Sequence, residues 1–153
     1  MDYNDISCGV AGQTGTLPAG AQEKIHAATG ELFKAGLRRF LIAVTGDATL
    51  AFAEVVLSYR EQYPDAGIDL LLPFDGWMDE QPDSERYKRI TAQAESVNYS
   101  CDTEYEDSVE ICNTQLIGFG RCTVFIHDGG DETIRAVIAE TRDAEQEVKE
   151  IQL

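Results

Sequence analysis

The feature that most constrains this chain is a regular alternation: short apolar runs of strand length, each followed by a longer segment with apolar residues at helical spacing. Residues 40–44 (Phe-Leu-Ile-Ala-Val), 68–72, 97–100 and 122–126 read as strands, with another short strand near 6–10. Between them, residues 18–35 place Ile25, Ala28, Leu32 and Phe33 on one helical face and end at Gly36. Residues 48–63 carry Leu50, Phe52, Ala53, Val56, Leu57 and Tyr63, and Pro64 stops them. Residues 84–94 align Tyr87, Ile90 and Ala94, and residues 131–142 align Ile134, Val137 and Ile138. A helix over 103–117 is predicted from a cap at Asp102 or Thr103, the latter with Glu106 at capping-box spacing, and Gly118 and Gly120 close it. Residues 148–153 add an edge strand.

Strands separated by helices of this length can pair in parallel, because a parallel neighbour needs a crossover, and crossovers are right-handed. The expectation is an α/β fold, a Rossmann-like three-layer sandwich with a mainly parallel sheet of about five or six strands. At 153 residues the chain makes a single domain, 1–153, long enough to bury roughly 70% of its unfolded surface. It contains no internal repeat and no low-complexity linker.

Composition narrows the partners. With 28 Asp and Glu against 12 Lys and Arg, the net charge of −16 repels phosphodiester backbones and anionic leaflets, so no nucleic acid and no membrane surface is expected as a partner. Cys8, Cys101, Cys112 and Cys122 form no Cys-x-x-Cys pair, and with only His26 and His127 to join them no metal site is expected. Residues 1–5 are acidic and no apolar signal region follows, and the apolar run at 40–44 is too short for a membrane span. Cytoplasmic residence with free thiols is the expectation, and a redox pair of Cys112 with Cys122 the less common alternative. Among the helices, 48–63 also carries Val55, giving more apolar width than one packing face needs and raising the prospect of a homodimer.

In an open parallel sheet, ligands bind beyond the carboxyl ends of the strands, so the loops after strands carry the functional argument. The first, Gly9-Val10-Ala11-Gly12-Gln13-Thr14-Gly15-Thr16, reads as either a weak cofactor turn or a flexible loop. In the second, Thr45-Gly46-Asp47-Ala48-Thr49, Asp47 or Thr49 caps a helix or meets a ligand. The third, Pro73-Phe74-Asp75-Gly76-Trp77, puts the only tryptophan at a strand end, where it stacks on a planar ligand or covers the core edge. The fourth, Asp128-Gly129-Gly130-Asp131-Glu132-Thr133, is a strand-to-helix turn whose glycines let backbone approach a ligand, or simply make the turn. Asp47, Asp75, Asp128, Asp131 and Glu132 crowd this edge. At an effective dielectric near 20, each repels a phosphate about 4 Å away by roughly 4 kcal/mol. A bare phosphate is disfavoured without a divalent cation, and ribose hydroxyls donating to carboxylates fit better. His127, at a strand end, is read as packing before acid–base chemistry.

These residues resemble the YpsA-like branch of the SLOG superfamily, Rossmann-like proteins related to LOG phosphoribohydrolases and to DprA. The carriers run over most of the chain: the Gly12 turn with Leu17-Pro18, Thr45-Gly46 before Ala53-Glu54, Tyr63-Pro64-Asp65, Leu72-Pro73-Phe74, Trp77, Tyr87, 94–97, Asn113 and His127-Asp128-Gly129-Gly130. The resemblance implies a site for a nucleotide or a nucleotide-derived ligand, for example an ADP-ribose-like compound, and the acidic loops would call for Mg²⁺ where a phosphate is held. The ligand-binding residues would be Gly12, Gly46, Asp47, Asp128, Gly129, Gly130 and Thr133, with Asn113 as a polar orienter. The departures lie in the same loops. The family's Thr-Gly-His-Arg-Pro turn reads Ala11-Gly12-Gln13-Thr14-Gly15, and its Arg-Asn reads Cys112-Asn113. Against the enzymes' Pro-Gly-Gly-x-Gly-Thr-x-x-Glu signature, Gly129, Gly130 and Thr133 match, while Asp128 replaces proline, Glu132 the third glycine and Ala136 the catalytic glutamate. The expectation is therefore a binding, regulatory or sensing protein. The alternatives are a nucleotide N-glycosidase in which Asp128, Asp131 or Glu132 supplies the missing carboxylate, and a homodimeric interaction module.

Overall fold

Each apolar run forms a strand, and each crossover carries a helix until the chain reaches its last edge. A computed structural model describes residues 3–153. In chain order it contains β1 (Ser7–Gly12), α1 (Ala21–Lys34), β2 (Arg39–Ala43), α2 (Asp47–Ser58), β3 (Gly67–Phe74), α3 (Ser84–Thr91), β4 (Ser96–Cys101), α4 (Ser108–Thr114), β5 (Cys122–His127), α5 (Glu132–Asp143) and β6 (Glu147–Gln152). The six strands form one sheet in the order β4-β3-β2-β1-β5-β6, and every pair is parallel. The chain builds outward from β1 to β4, then returns past β1 to lay down β5 and β6. The order therefore reverses between β1 and β5, and the loops leaving those two strands part to opposite faces, which opens a crevice.

Period-two alternation in the strands divides the core. Val10, Phe40, Ile42, Ile68, Leu70, Leu72, Val124 and Ile126 face α1, α2 and α3, while Ala11, Ala43 and Phe125 face α4 and α5. On the first face Phe40 meets Phe33 and Phe52 edge-on, both at 5.5 Å between ring centroids. Helix α2 lies between α1 and α3 and packs on β1, β2, β3 and β5. Its broad apolar surface is thus covered within the chain, with Val55 buried and Leu57 half-buried against the core.

Two local expectations are corrected. Strand β1 extends to Gly12, so Gly9 and Gly12 lie inside a buried strand and not in a loop. A Cβ on Gly12 would stand 3.1 Å from Thr49 Cγ2 and 3.2 Å from Ala48 Cβ, so the glycine lets the first turn of α2 sit down on the strand end. The second correction is α4, which begins at Ser108 and not at 103. The Ser108 hydroxyl accepts from the Tyr105 backbone N–H (2.8 Å) and the Tyr105 hydroxyl donates to Asp102 (3.2 Å), so these local bonds fold 102–107 as a loop and no Thr103–Glu106 box forms. Among the described residues no helix is long and apolar enough to cross a membrane.

The sheet also separates the cysteines. Cys112 lies on α4 in the second core layer and Cys122 points to the first, so the two do not pair. Cys122 instead stands in register beside Cys8, and all four thiols are free. Burial pushes the Cys112 thiol up to about 12, and its Sγ donates to the Leu71 carbonyl (3.4 Å). A thiol-reactive disulfide reagent is expected to label only Cys101 quickly in the native protein, with Cys8, Cys112 and Cys122 reacting after denaturation. Peptide mapping of the labelled sites checks this.

Candidate functional site

The loops after β1 and β5 are laced together across the crevice. The Gln13 N–H donates to the Ile126 carbonyl (2.9 Å), the Gln13 side-chain oxygen accepts from the Asp128 N–H (2.7 Å), and the Thr14 N–H reaches Asp131 Oδ2 (3.4 Å). Asp131 is the N-cap of α5: its Oδ1 accepts from the Thr133 and Ile134 N–H groups at 3.0 and 3.2 Å.

The paired glycines make a turn whose donors are already engaged. Gly129 needs its positive φ of 91°, and its N–H donates to His127 Nδ1 (3.2 Å); the Gly130 N–H donates to Asp128 Oδ1 (2.8 Å). With Nδ1 accepting, His127 Nε2 carries the ring proton and donates it to Glu150 Oε1 (2.8 Å), while Arg142 holds Glu150 Oε2 (2.9 Å). The His127 hydrogen bond, helped by Arg142, keeps the Glu150 carboxyl below the usual carboxylate range. His127, 4% exposed, therefore ties β5 to β6 and the turn.

Two clefts open at this edge, one on either side of the β1 loop, and Thr14 lines both. The first has a volume of about 710 Å³ and lies between the loops after β1 and β5 and the start of α4. Its charged lining is all acidic, Glu106, Asp107, Glu110 and Asp131, and Thr14, Thr133, Val109 and Asn113 complete it. Asn113 is 1% exposed, and its Oδ1 has no hydrogen-bond partner among the described residues. The second cleft, about 510 Å³, lies between the β1 loop, the start of α2 and α3. Trp77 and Tyr87 form its aromatic wall, and Thr45, Gly46, Asp47, Gln81 and Asp83 contribute polar groups and backbone. Both volumes fall in the range of small-molecule sites.

The residues expected at the site divide accordingly. Asn113 and Thr133 come together in the first cleft, and Gly46 and Asp47 in the second. Gly12, Asp128, Gly129 and Gly130 line neither and are used in packing or in the turn. Gly46 has extended backbone (φ 176°); glycine stands there because a Cβ would lie 3.2 Å from Thr14 Cα. Thr49 closes that turn, accepting from the Thr45 N–H (3.3 Å) and donating to the Gly46 carbonyl (3.2 Å). Asp47 makes no capping bond and instead faces Arg86 at 3.6 Å. Arg86 also binds Glu54 through Nε (3.0 Å) and faces Asp83 (3.5 Å). Burial opposes the guanidinium charge, and the carboxylates, Glu54 first, more than offset it, leaving Arg86 above its ordinary pKa. Ala136, at the enzymes' glutamate position in the resemblance, is exposed, and Cys112, at their arginine position, is fully buried.

Sequence reasoning placed Gln13, Thr14 and Thr45 in the candidate loops without giving them a role, named Asp131, and missed Arg86 and the rest of the acidic wall, Glu106, Asp107 and Glu110. The acidic run Glu104-Tyr105-Glu106-Asp107 was a readable signal for the last, but only the short α4 brings it to the crevice. Among the described residues no group of three or more His, Cys, Asp or Glu side chains converges to hold a metal ion. No protein-family model and no curated protein matches this chain.

Proposed function

We propose that this protein binds a nucleoside-like small molecule at the β1/β5 crevice, in a regulatory or sensing role of the kind the SLOG resemblance implies. One observation carries the reading: Asn113, almost wholly buried on the wall of a roomy cleft, leaves its Oδ1 unpartnered and shielded from solvent, a group that a ligand satisfies once the amide turns towards the cleft. A buried amide oxygen without a donor costs about 1–3 kcal/mol, which a donor on a ligand recovers. The four carboxylates around it, with no Lys or Arg in the lining, decide the ligand's chemistry. They disfavour a phosphate inside the cleft and favour groups that donate hydrogen bonds, such as sugar hydroxyls. A nucleotide's phosphate would then point out of this cleft. Binding is preferred to N-glycosidic cleavage because the signature's glutamate and arginine positions are an exposed alanine and a buried cysteine.

Thermal shift with adenosine, AMP and ADP-ribose, with and without Mg²⁺, tests this. Adenosine at about a hundred times its Kd should stabilise the fold by about 2.7 kcal/mol, seen as a rise in Tm of roughly 5–11 °C. Asn113→Ala should weaken binding about tenfold or more in calorimetry. Absence of a shift with every compound, under both conditions, would overturn the proposal.

A further inference from the structure

We infer that the second cleft is a subsite for a flat nitrogen heteroaromatic ring, read by Trp77 and Thr45. It rests on the nucleoside-like ligand proposed above and assigns the base of that ligand to its own place. The decisive group is Thr45. It is 3% exposed and lines the cleft, and its Oγ1, shielded from solvent, has no hydrogen-bond partner among the described residues although its backbone N–H is held by Thr49, so a ring meets the hydroxyl once the side chain turns towards the cleft. A hydroxyl can donate to a ring nitrogen or accept from an exocyclic amine, so nucleobases satisfy it whichever edge they present.

The wall beside Thr45 supplies the stacking surface. Trp77 is half-buried: its ring edge packs against Phe74, with centroids 5.5 Å apart and planes at 84°, and its indole N–H points to the Tyr87 hydroxyl (3.4 Å). The indole is thereby fixed in orientation while part of its surface borders the cleft. An aromatic side chain held in this way stacks a base for about 1–3 kcal/mol. The carboxylates lining this cleft, Asp47 and Asp83, share Arg86 with Glu54, so unlike the first cleft this one has a cation that partly offsets its acid beside an uncharged ring. Thr14 lies in the wall of both clefts, so the β1 loop is the element that a ring against Trp77 shares with the cleft of Asn113.

Trp77 is the only tryptophan in the chain, so intrinsic fluorescence reports on this cleft directly. Adenosine should quench it saturably, and ribose at the same concentrations should not. Thr45→Val should weaken the adenosine quench about tenfold, and Thr45→Ser, which keeps the hydroxyl, should restore it. No saturable quench by adenosine, or an unchanged affinity in Thr45→Val, overturns the subsite. Thermal stabilisation by adenosine that Asn113→Ala abolishes, without any Trp77 signal, would likewise overturn it while leaving the first-cleft reading in place. A Trp77 quench that is sensitive to Thr45→Val and indifferent to Asn113→Ala supports the subsite and removes the first-cleft reading.

Discussion

Gly120→Ala is expected to destabilise the protein by about 2–4 kcal/mol, lowering Tm by roughly 5–15 °C. Gly120 lies between α4 and β5 with φ +69°, and a Cβ there would stand 2.4 Å from the Ser7 carbonyl oxygen, 2.6 Å from the Ser7 carbonyl carbon and 2.9 Å from the Cys8 nitrogen. All three are backbone atoms at the start of β1, a central strand whose register with β5 sets the crevice. The neighbouring Arg121 N–H donates to the same Ser7 carbonyl (2.8 Å), so relieving the overlap means breaking a bond that fixes where β5 enters the sheet. Gly118→Ala separates this collision from simple backbone strain. Gly118 also has positive φ (+87°), but nothing lies within 4 Å of a Cβ there, so its loss should be about 1 kcal/mol. Urea denaturation of both variants checks the prediction; equal losses would mean that strain alone, and not the Ser7 contact, accounts for the effect.

The contrast between these glycines shows what the sequence could and could not convey. Gly118 and Gly120 are legible as helix-closing residues, but the collision at Gly120 belongs to a strand more than a hundred residues earlier in the chain. The fold was legible because its signals are local: strand runs such as 40–44 and 122–126 and the helix stripes of Ile25, Leu32 and Phe33 need only their own periodicity. The α4 boundary was not, because the capping box at Thr103 competes with a bond from Tyr105 to Ser108 of equal sequence plausibility.

The candidate site was legible at its framework and not at its chemistry. Gly46, Asp47, Asn113 and Thr133 are placed at the clefts by topology. The Gly129-Gly130 pair, which in the sequence looks open to a ligand, has its N–H groups occupied by His127 and Asp128, a matter of side-chain rotamers. Thr14 and Thr45 have no motif of their own; they matter because one loop stands between two clefts and one hydroxyl is left without a partner.

Arg86→Met should cost about 1.5–3 kcal/mol at low ionic strength, and the loss should shrink in concentrated salt. Methionine keeps much of the side chain's apolar stem and removes the charge that Glu54, Asp47 and Asp83 share. Each pair alone is worth little, because the carboxylate side chains are 35–39% exposed and solvent screens them. The sum is larger because removing the one cation leaves three like charges drawn together from α2 and the start of α3. Their repulsion is what salt screens, since the Debye length falls to about 3 Å at 1 M. Glu54→Gln, which leaves Arg86 two acidic neighbours, should cost only about 0.5–1 kcal/mol. Arg86→Met also bears on the second cleft: Asp47 and Asp83 on its wall lose the cation that partly offsets them, so adenosine should bind this variant more weakly even where the fold is intact. Urea titrations at low and high salt read the first effect and Trp77 quenching the second. A stability loss indifferent to salt would assign Arg86's contribution to its short-range hydrogen bonds with Glu54, since methionine keeps the stem, and the carboxylate cluster would then owe its position to the fold and not to relief of repulsion by the cation.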